Sequence, residues 1–393
     1  MEKLSIRDIN VKGKRVLVRV DFNVPQDENM QVRDDTRIRE ALVTIKYIID
    51  NGGKAILVSH LGRPDGKIVE KLRMAPVAAK LQELLGKPVL TAKDCVGEEV
   101  IKIVSGMKDR DVLLLENVRF HAEEEENDPA FSKQLADLCD IYVNDAFGTA
   151  HRAHASTEGV TKFVKQAAAG FLIEKEIKYL GMVLENPTRP ILAIIGGAKI
   201  SSKIDLLNNL ISKVDNLIIG GGMAYTFMKA QGKGIGKSLL EADKVEVAKD
   251  ILEKAKTKGV NIYLPVDHIV SSTKDNPHNI ECVNEIPDNM IAFDIGPKSI
   301  AEFEKVVKIS KTIFWNGPLG LFEVDAFAAG TIAIAKAIAN SGNVSVVGGG
   351  DSVSAIKKAG VKAKITHIST GGGASLEFIE GKELPGIAAL INK

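Results

Sequence analysis

The chain has 393 residues, which is too long for one hydrophobic core and predicts two domains of roughly 100 to 200 residues each. Its 52 Lys and Arg residues nearly balance its 51 Asp and Glu residues, so the net charge is close to zero. A chain with so little net charge is not attracted as a whole to nucleic acid or to an anionic membrane, and neither is expected as a partner. The charged N-terminus lacks the apolar core of a signal peptide, and no apolar run approaches the about 20 residues of a membrane span. We therefore expect a cytoplasmic protein.

Short β-branched runs alternate with helix-like segments along the whole chain, a pattern typical of parallel sheets built from βαβ units. In the first half we predict strands at 15–20, 55–58, 112–115 and 141–143, with helices at 37–51 and 75–85. A longer helix is predicted at 171–186. It must end there, because Pro187 and Pro190 follow.

The second half repeats the alternation, with strands predicted at 191–195, 216–219, 261–264, 312–315, 344–347 and 366–368. We predict an α/β fold of two doubly wound, parallel-sheet (Rossmann-like) domains joined by a long helix and a hinge. The first domain is expected at 1–170, the interdomain helix at 171–186 and the second domain at 187–370. The apolar run 387–391 suggests that the C-terminal segment 371–393 returns to the first domain.

In open parallel sheets ligands bind where the strands end, so the residues after each predicted strand are the candidate sites. In the first half these residues include His60, Arg63, Arg119 and Arg152. A planar guanidinium group can bind a phosphate or a carboxylate through two hydrogen bonds. The pattern predicts a pocket for a small anion in the first domain.

In the second half the corresponding positions are glycine, at 196–197, 220–222, 317, 348–350 and 371–373. Glycine lets the backbone approach a ligand closely, and the free N–H groups at the start of a following helix bind phosphate oxygens. The second domain is therefore predicted to bind a nucleotide.

Several other features are given no functional role. The loop 231–238 ends like a phosphate-binding P-loop, but Gln231 stands where that pattern requires glycine. The acidic run 123–126 predicts a solvated loop. Cys95, Cys139 and Cys282 form no CxxC pair, and we assign them neither a catalytic nor a metal-binding role.

Taken together, these segments make the chain similar to the phosphoglycerate kinase family from end to end. In the first half the resemblance is carried by VRVDFNVP at 18–25, DDTRI at 34–38, SHLGRP at 59–64 and the stretch from NDAF at 144–147 to His154. In the second half it is carried by GGAK at 196–199 with Lys203, WNGP at 315–318, GGGDS at 348–352 and STGGGAS at 369–375.

The resemblance implies a monomeric kinase that transfers a phosphoryl group between ATP or ADP, with Mg²⁺, and 3-phosphoglycerate or 1,3-bisphosphoglycerate, the domains closing around both ligands. It implies that the phosphoglycerate is bound by Asp21, Asn23, Arg37, His60, Arg63, Arg119 and Arg152. It implies that the nucleotide is bound by Lys199, Lys203, Gly221, Gly222, Asn316, Glu323, Gly349, Gly350, Asp351 and Ser352, with Asp351 as the metal ligand. The implied catalytic residues are Arg37, Lys203, Gly372 and Gly373.

Two other functions remain open at this point. A nicotinamide-dependent oxidoreductase could use a doubly wound fold, but no G-x-G-x-x-G fingerprint opens either domain's first βαβ unit. A binding or scaffold protein that has kept the fold is a different class, because fold does not imply turnover. Release of ADP in the presence of 3-phosphoglycerate would distinguish the kinase from both.

Overall fold

The computed structural model describes residues 2–275, 277 and 279–393. By its internal contacts the chain divides into two compact units. The first contains the residues up to Lys178 together with Glu383–Lys393, and the second is Tyr179–Lys382. No helix in the described part of the chain is long and apolar enough to cross a membrane.

The first unit is built on a six-stranded parallel sheet with the order β3-β4-β2-β1-β5-β6. Its strands are β1 (Arg15–Val20), β2 (Lys54–Val58), β3 (Leu90–Thr91), β4 (Val112–Leu114), β5 (Ile141–Asp145) and β6 (Ala167–Ala169). In the part of this unit up to Lys178, the α-helices that begin are α1 (Thr36–Asp50), α2 (Ala75–Leu85), α3 (Glu98–Gly106), α4 (Ala122–Glu125), α5 (Pro129–Asp137) and α6 (Phe171–Leu184). Because the central strands are covered on both faces, β1, β2 and β5 are almost entirely buried.

The second unit has a six-stranded parallel sheet with the order β15-β14-β13-β7-β8-β9 and a three-stranded antiparallel sheet with the order β11-β10-β12. Its strands are β7 (Ile191–Ile195), β8 (Asn216–Ile219), β9 (Asn261–Tyr263), β10 (His268–Ser271), β11 (Glu281–Val283), β12 (Ile291–Ile295), β13 (Thr312–Asn316), β14 (Val344–Gly348) and β15 (His367–Ile368). Its helices are α7 (Ile204–Ile211), α8 (Ala224–Ala230), α9 (Val245–Lys258), α10 (Pro297–Ile309), α11 (Ala329–Asn340), α12 (Gly350–Ala359) and α13 (Gly373–Ile379).

The predicted strands are present, with ends within two residues of those expected, and the α/β class with two parallel sheets is confirmed. The antiparallel sheet was not predicted, because β11 is short and mostly exposed and carries no clear apolar alternation. Strands β3 and β6 were also missed. They contain two and three residues, which is too short for a periodic pattern to show.

The boundaries of the two units differ from the predicted domain boundaries. The division falls inside α6, between Lys178 and Tyr179, and not at either end of that helix. The segment that joins the first unit begins at Glu383, whereas we expected it to begin at 371. Helix α13 stays in the second unit, where the Asn209 side chain of α7 donates a hydrogen bond to the carbonyl oxygen of Ile379 at 2.5 Å.

The C-terminal residues complete the first unit through backbone pairing. The Ile391 carbonyl accepts from Leu4 N at 2.8 Å, and Ile391 N donates to the Ala167 carbonyl at 3.1 Å. Helix α14 (Pro385–Ala388) precedes this pairing, and its Gly386 carbonyl accepts from the Asn144 side chain at 2.9 Å. Asn144 lies in β5, so the end of the chain is attached to the sheet that carries the basic strand ends.

Asp145, the last residue of β5, fixes the start of α6. Its Oδ1 accepts hydrogen bonds from Leu172 N at 2.8 Å and from Ile173 N at 3.4 Å, which are free donors of the first helical turn. Gly170 makes room for this carboxylate, because a Cβ at that position would lie 2.2 Å from Asp145 Oδ1.

A buried histidine in the antiparallel sheet should make the second unit sensitive to acid. Neither ring nitrogen of His268 has a hydrogen-bond partner among the described residues, and burial lowers its pKa to about 4, an effect that Lys233 adds to and Asp267 opposes. In the unfolded chain the pKa is about 6.5, so stability is complete above that pH and is lost as the pH falls towards 4. We expect this histidine alone to lower the free energy of unfolding by about 2 kcal/mol between pH 7 and pH 5.

The measurement is denaturant unfolding followed by the fluorescence of Trp315, the one tryptophan of the chain, which is buried in β13. His268→Leu should reduce the loss between pH 7 and pH 5, while the difference between variant and wild type stays constant from pH 7 to pH 8. Equal pH dependence of the two proteins would contradict the prediction.

Candidate active site

The residues that follow β1 and begin α1 form an ion pair at the edge of the first unit's sheet. Arg37 Nη1 donates to Asp21 Oδ2 at 2.7 Å. Asp21 is buried, and its other oxygen accepts from Asn23 N at 3.2 Å. Arg37 lies in the first turn of α1 and keeps about a third of its side chain exposed, so its remaining donors can reach a ligand.

The loops after β1, β2 and β4 are joined through the backbone of Gly62. Gly62 N donates to Asn23 Oδ1 at 2.9 Å, and the Gly62 carbonyl accepts from Arg119 Nη1 at 3.2 Å. Arg119 is buried in a 3-10 helix (Val118–Phe120), and burial lowers its pKa. Residues from three strand ends are thus held in one hydrogen-bonded arrangement.

His60, at the end of β2, is held as a neutral imidazole. Burial lowers its pKa well below the usual value, and the charges of Arg19, Arg119 and Arg37 lower it further. Its Nδ1 lies 3.2 Å from Arg19 Nη2, and an arginine can only donate, so Nδ1 is the acceptor. The proton of the ring is therefore on Nε2, which makes that nitrogen a hydrogen-bond donor.

The structure brings most of the predicted basic residues together. The charges of Arg37 and Arg119 both lower the pKa of His60, and the charge of Arg152 lowers the pKa of Arg119. Arg152 also donates from Nε to His151 Nε2 at 3.3 Å. Arg63 lies exposed on the loop directly after Gly62. Repulsion among cations this close is unfavourable unless an anion is present, which is the electrostatic character of an anion site.

Beneath this cluster lies a buried polar network that the sequence did not reveal. Arg19 in β1 is fully buried and donates from Nε to Ser156 Oγ at 2.8 Å. Ser156 Oγ in turn donates to Glu124 Oε1 at 2.6 Å, and Ser156 N donates to Glu124 Oε2 at 2.8 Å. The hydroxyl thus connects a buried cation to a buried anion.

Glu124 belongs to the acidic run 123–126, for which we expected a solvated loop. That expectation is wrong for this residue: the segment contains α4, and Glu124 is fully buried. Burial raises the pKa of its carboxyl group, while Arg19 and the hydrogen bonds from Ser156 oppose the rise. The neighbours of Glu124 in sequence remain exposed, so the charge run itself carried no signal that one member turns inward.

In the second unit, glycine allows neighbouring strand ends to approach closely. A Cβ on Gly196, after β7, would lie 2.0 Å from the Pro318 carbonyl oxygen, after β13. Gly349, at the N-terminus of α12, has φ of +93°, and a Cβ there would lie 2.6 Å from Asn316 Nδ2. Gly196 is buried between these strand ends, whereas Gly349 is partly exposed, so a ligand could approach the backbone at Gly349.

Asn316 connects the ends of β13 and β14 to a lysine. Its Nδ2 donates to the Gly348 carbonyl at 2.7 Å, and its Oδ1 accepts from Lys203 Nζ. Lys203 lies at the start of α7; burial lowers its pKa, and the charges of Glu380 and Asp351 oppose this. Ser352 accepts from Gly317 N at 2.6 Å, which ties α12 to the same strand end.

The remaining predicted residues of the second unit occupy strand ends and helix starts. Asp351 is exposed in the first turn of α12, and Gly350 begins that helix. Lys199 is exposed after β7, and Glu323 is exposed beyond β13. Gly221 and Gly222 follow β8 and precede α8. Gly372 and Gly373 lie at the start of α13, and Gly372 has a positive φ of +55°, which favours glycine.

Comparisons with known proteins agree on one family. The family model described as phosphoglycerate kinase matches residues 6–382. Proteins named phosphoglycerate kinase from Chlorobium chlorochromatii and Koribacter versatilis are each 57% identical to this chain, over 397 and 403 residues, and the matches cover 100% of both chains in each case.

Solved structures give the same result at the level of the fold. The phosphoglycerate kinase from Coxiella burnetii superposes with a TM-score of 0.92 at 43% identity. That from Pyrococcus horikoshii superposes with a TM-score of 0.83 at 33% identity. Each comparison covers 98% of both chains.

Removal of the Ser156 hydroxyl tests whether the buried network is needed. Ser156→Ala leaves Arg19 Nε and Glu124 Oε1 without their shared partner, and we expect the free energy of unfolding to fall by about 2 to 3 kcal/mol. Ser132→Ala is the matched control, because Ser132 is equally buried but its hydroxyl has no hydrogen-bond partner among the described residues. Equal losses in urea unfolding would show that the hydroxyl connection is not what stabilises the unit.

Proposed function

Because this chain belongs to the phosphoglycerate kinase family, it transfers a phosphoryl group between ATP and the carboxylate of 3-phosphoglycerate in glycolysis, and we propose that each unit binds one of these substrates. The observation that carries this proposal is the contrast between the two sets of strand ends. The strand ends of the first unit carry arginine and histidine side chains that interact electrostatically. The strand ends of the second unit carry glycines that bring backbone segments together. Membership of this family also rules against a nicotinamide-dependent oxidoreductase.

In the first unit, Arg63, Arg119, Arg152 and His60 would bind the phosphate that does not react. The neutral His60 contributes a hydrogen bond from Nε2 without adding another positive charge to a site that already contains several guanidinium groups. This matters because each further buried cation would raise the electrostatic cost of the empty site. Asp21 and Asn23, oriented by the backbone contacts described above, would hold the hydroxyl of the substrate.

Arg37 would bind the carboxylate that receives the phosphoryl group. A carboxylate is already ionised at neutral pH, so the reaction needs no general base. It needs positive charge where negative charge is redistributed in the transition state. The ion pair with Asp21 fixes the orientation of Arg37, while the exposed part of its guanidinium remains available for the substrate.

In the second unit, the phosphates of the nucleotide would lie across the starts of α12 and α13. Gly349 is the N-cap of α12, Gly350 begins the helix and Ser352 lies in its first turn, where backbone N–H groups have no partner within the helix and can donate to phosphate oxygens. Lys203, held by Asn316, would contact the transferred group together with Gly372 and Gly373, while Lys199 would contact the other phosphates. Gly221 and Gly222 would border the adenine, and Glu323 would bind the ribose.

Asp351 would hold Mg²⁺ with the nucleotide. Mg²⁺ in kinases is bound through one or two carboxylates together with phosphate oxygens and water, and an exposed carboxylate beside the phosphate-binding helix start fits that set. The bound ion supplies positive charge that neutralises the phosphates. We further propose that the protein acts as a monomer in the cytoplasm, without nucleic acid or membrane partners, with 1,3-bisphosphoglycerate and ADP as its other substrates.

The division of substrates predicts selective loss of binding. Arg119→Ala should weaken 3-phosphoglycerate binding by about 1.5 to 3 kcal/mol, or roughly 10-fold to 150-fold, because one charged hydrogen-bond partner is lost. Binding of ADP should be unchanged. Calorimetry with each ligand measures both, and Arg39→Ala, whose side chain forms an exposed ion pair with Asp35, is the control. Comparable losses for the two ligands would contradict the assignment.

Lys203 is predicted to act on the transition state more than on the bound substrates. Lys203→Ala should lower kcat by about 100-fold or more and change the KM for ATP by less than about tenfold, because charge on the transferred group is redistributed during the reaction. Steady-state kinetics in both substrates tests this, with the exposed Lys249→Ala in α9 as the control. A variant with normal kcat and a raised KM would identify Lys203 as a ground-state binding residue.

A further inference from the structure

Three side chains outside the proposed substrate site are brought together in the first unit. Asp94 and Cys95 lie in the connection after β3, and His121 lies in the connection after β4, directly before α4. Strands β3 and β4 are parallel neighbours, so their carboxyl ends meet at one edge of the sheet. One carboxylate oxygen, the thiol sulfur and one imidazole nitrogen all lie within 4.8 Å of one another.

The three groups are held in place by several contacts. Asp94 Oδ1 lies 2.6 Å from His121 Nε2 and also accepts from Cys95 N at 2.6 Å. The Asp94 carbonyl accepts from Glu116 N at 3.4 Å, which ties the two connections together. The His121 ring packs against Phe131 with their centroids 5.0 Å apart. Little rearrangement of the three side chains is therefore needed before a metal ion binds them.

Access to this cluster is limited to one side. Cys95 is fully buried, whereas half of the Asp94 side chain and 28% of the His121 side chain are exposed. An ion arriving from solvent would meet the carboxylate and the imidazole first and reach the sulfur behind them. Asp94 and His121 alone would form an ordinary ion pair. Such a pair does not require a thiol beside it.

The donor set is that of a transition metal. Zn²⁺ takes sulfur at about 2.3 Å and imidazole nitrogen or carboxylate oxygen at about 2.0 to 2.2 Å, which in a tetrahedron places the donors about 3.3 to 3.7 Å apart. The present separations, between 2.6 Å and 4.8 Å, bracket that range and require shifts of about 1 Å or less. Mg²⁺ prefers oxygen donors and near-ideal octahedral geometry, so it does not fit this cluster.

We propose that Asp94, Cys95 and His121 form a binding site for a thiol-preferring divalent transition metal of the Zn²⁺ class, with water as the fourth ligand. The ion binds the thiolate and the neutral imidazole, and the protons that these groups carry are released to solvent. Burial raises the pKa of the Cys95 thiol, and Asp94 raises the pKa of His121, so the metal competes with protons at both donors. This site is separate from the one proposed for Mg²⁺ at Asp351, which lies in the other unit.

Cobalt(II) reports on the site directly, because a cobalt–thiolate bond produces a charge-transfer absorption that bonds to oxygen or nitrogen donors do not. The metal-free full-length protein is titrated with Co²⁺ in a buffer without phosphate or nucleotide. We expect one ion per chain with thiolate absorption, displacement by Zn²⁺ and no displacement by excess Mg²⁺. Absence of the thiolate absorption at saturating Co²⁺ would overturn the proposal.

Variants identify the ligands. Cys95→Ser should abolish the charge-transfer absorption, and His121→Gln and Asp94→Asn should each weaken Co²⁺ binding by more than tenfold. Cys282→Ser, which changes the exposed thiol, is the matched control and should bind as the wild type does. If Cys95→Ser fails to fold by circular dichroism, the two other variants decide: unchanged binding in both overturns the proposal. Loss of the absorption in Cys282→Ser would assign the thiolate to Cys282 and would overturn it as well.

Discussion

The burial of a guanidinium group within the central strand of a parallel sheet is the constraint on which the first unit's site depends. Arg19 cannot lose its charge, so each of its donors must find a partner inside the protein. Ser156, the Val20 carbonyl and His60 supply those partners. The demand of Arg19 for an acceptor fixes the tautomer of His60, and the need for a nearby negative charge accounts for the inward position of Glu124.

The first unit therefore has two layers of charge with different roles. The lower layer, formed by Arg19, Ser156 and Glu124, is internally compensated. The upper layer, which includes Arg37, Arg119 and Arg152, is compensated only in part, by Asp21 and by an ion pair between Arg119 and Glu125 at 3.4 Å. The uncompensated positive charge is what an anionic substrate would neutralise, so the lower layer stabilises the fold and the upper layer remains available for binding.

In the second unit, the proposed phosphate site is formed by backbone groups. The proposed transition-metal site in the first unit is formed by side chains. Gly196 and Gly349 leave no room for a Cβ, so the end of β7 lies close to Pro318 and the start of α12 lies close to Asn316. The backbone N–H groups at the start of α12 suit phosphate oxygens, and the carboxylate of Asp351 in the first turn of α12 would suit a hard cation such as Mg²⁺. Asp94, Cys95 and His121 instead offer sulfur and nitrogen, and this difference in donor type would keep the two metals at separate sites.

The sequence by itself determined the features that a local pattern encodes. These are the parallel strands other than β3 and β6, the helices α1, α2 and α6, the glycine-rich strand ends, and the family to which the motifs point. The principal basic residues were also found this way, because parallel strands all end at one edge of a sheet. Only the tertiary structure decided which of several chemically similar residues have buried side chains. It also decided which residues that are far apart in the sequence come into contact. Glu124 differs from Glu123 by its orientation in a short helix, and Cys95 meets His121 because β3 and β4 are neighbours, although β3 is two residues long. Strand order and side-chain direction depend on long-range packing, and periodicity within a single segment does not encode them.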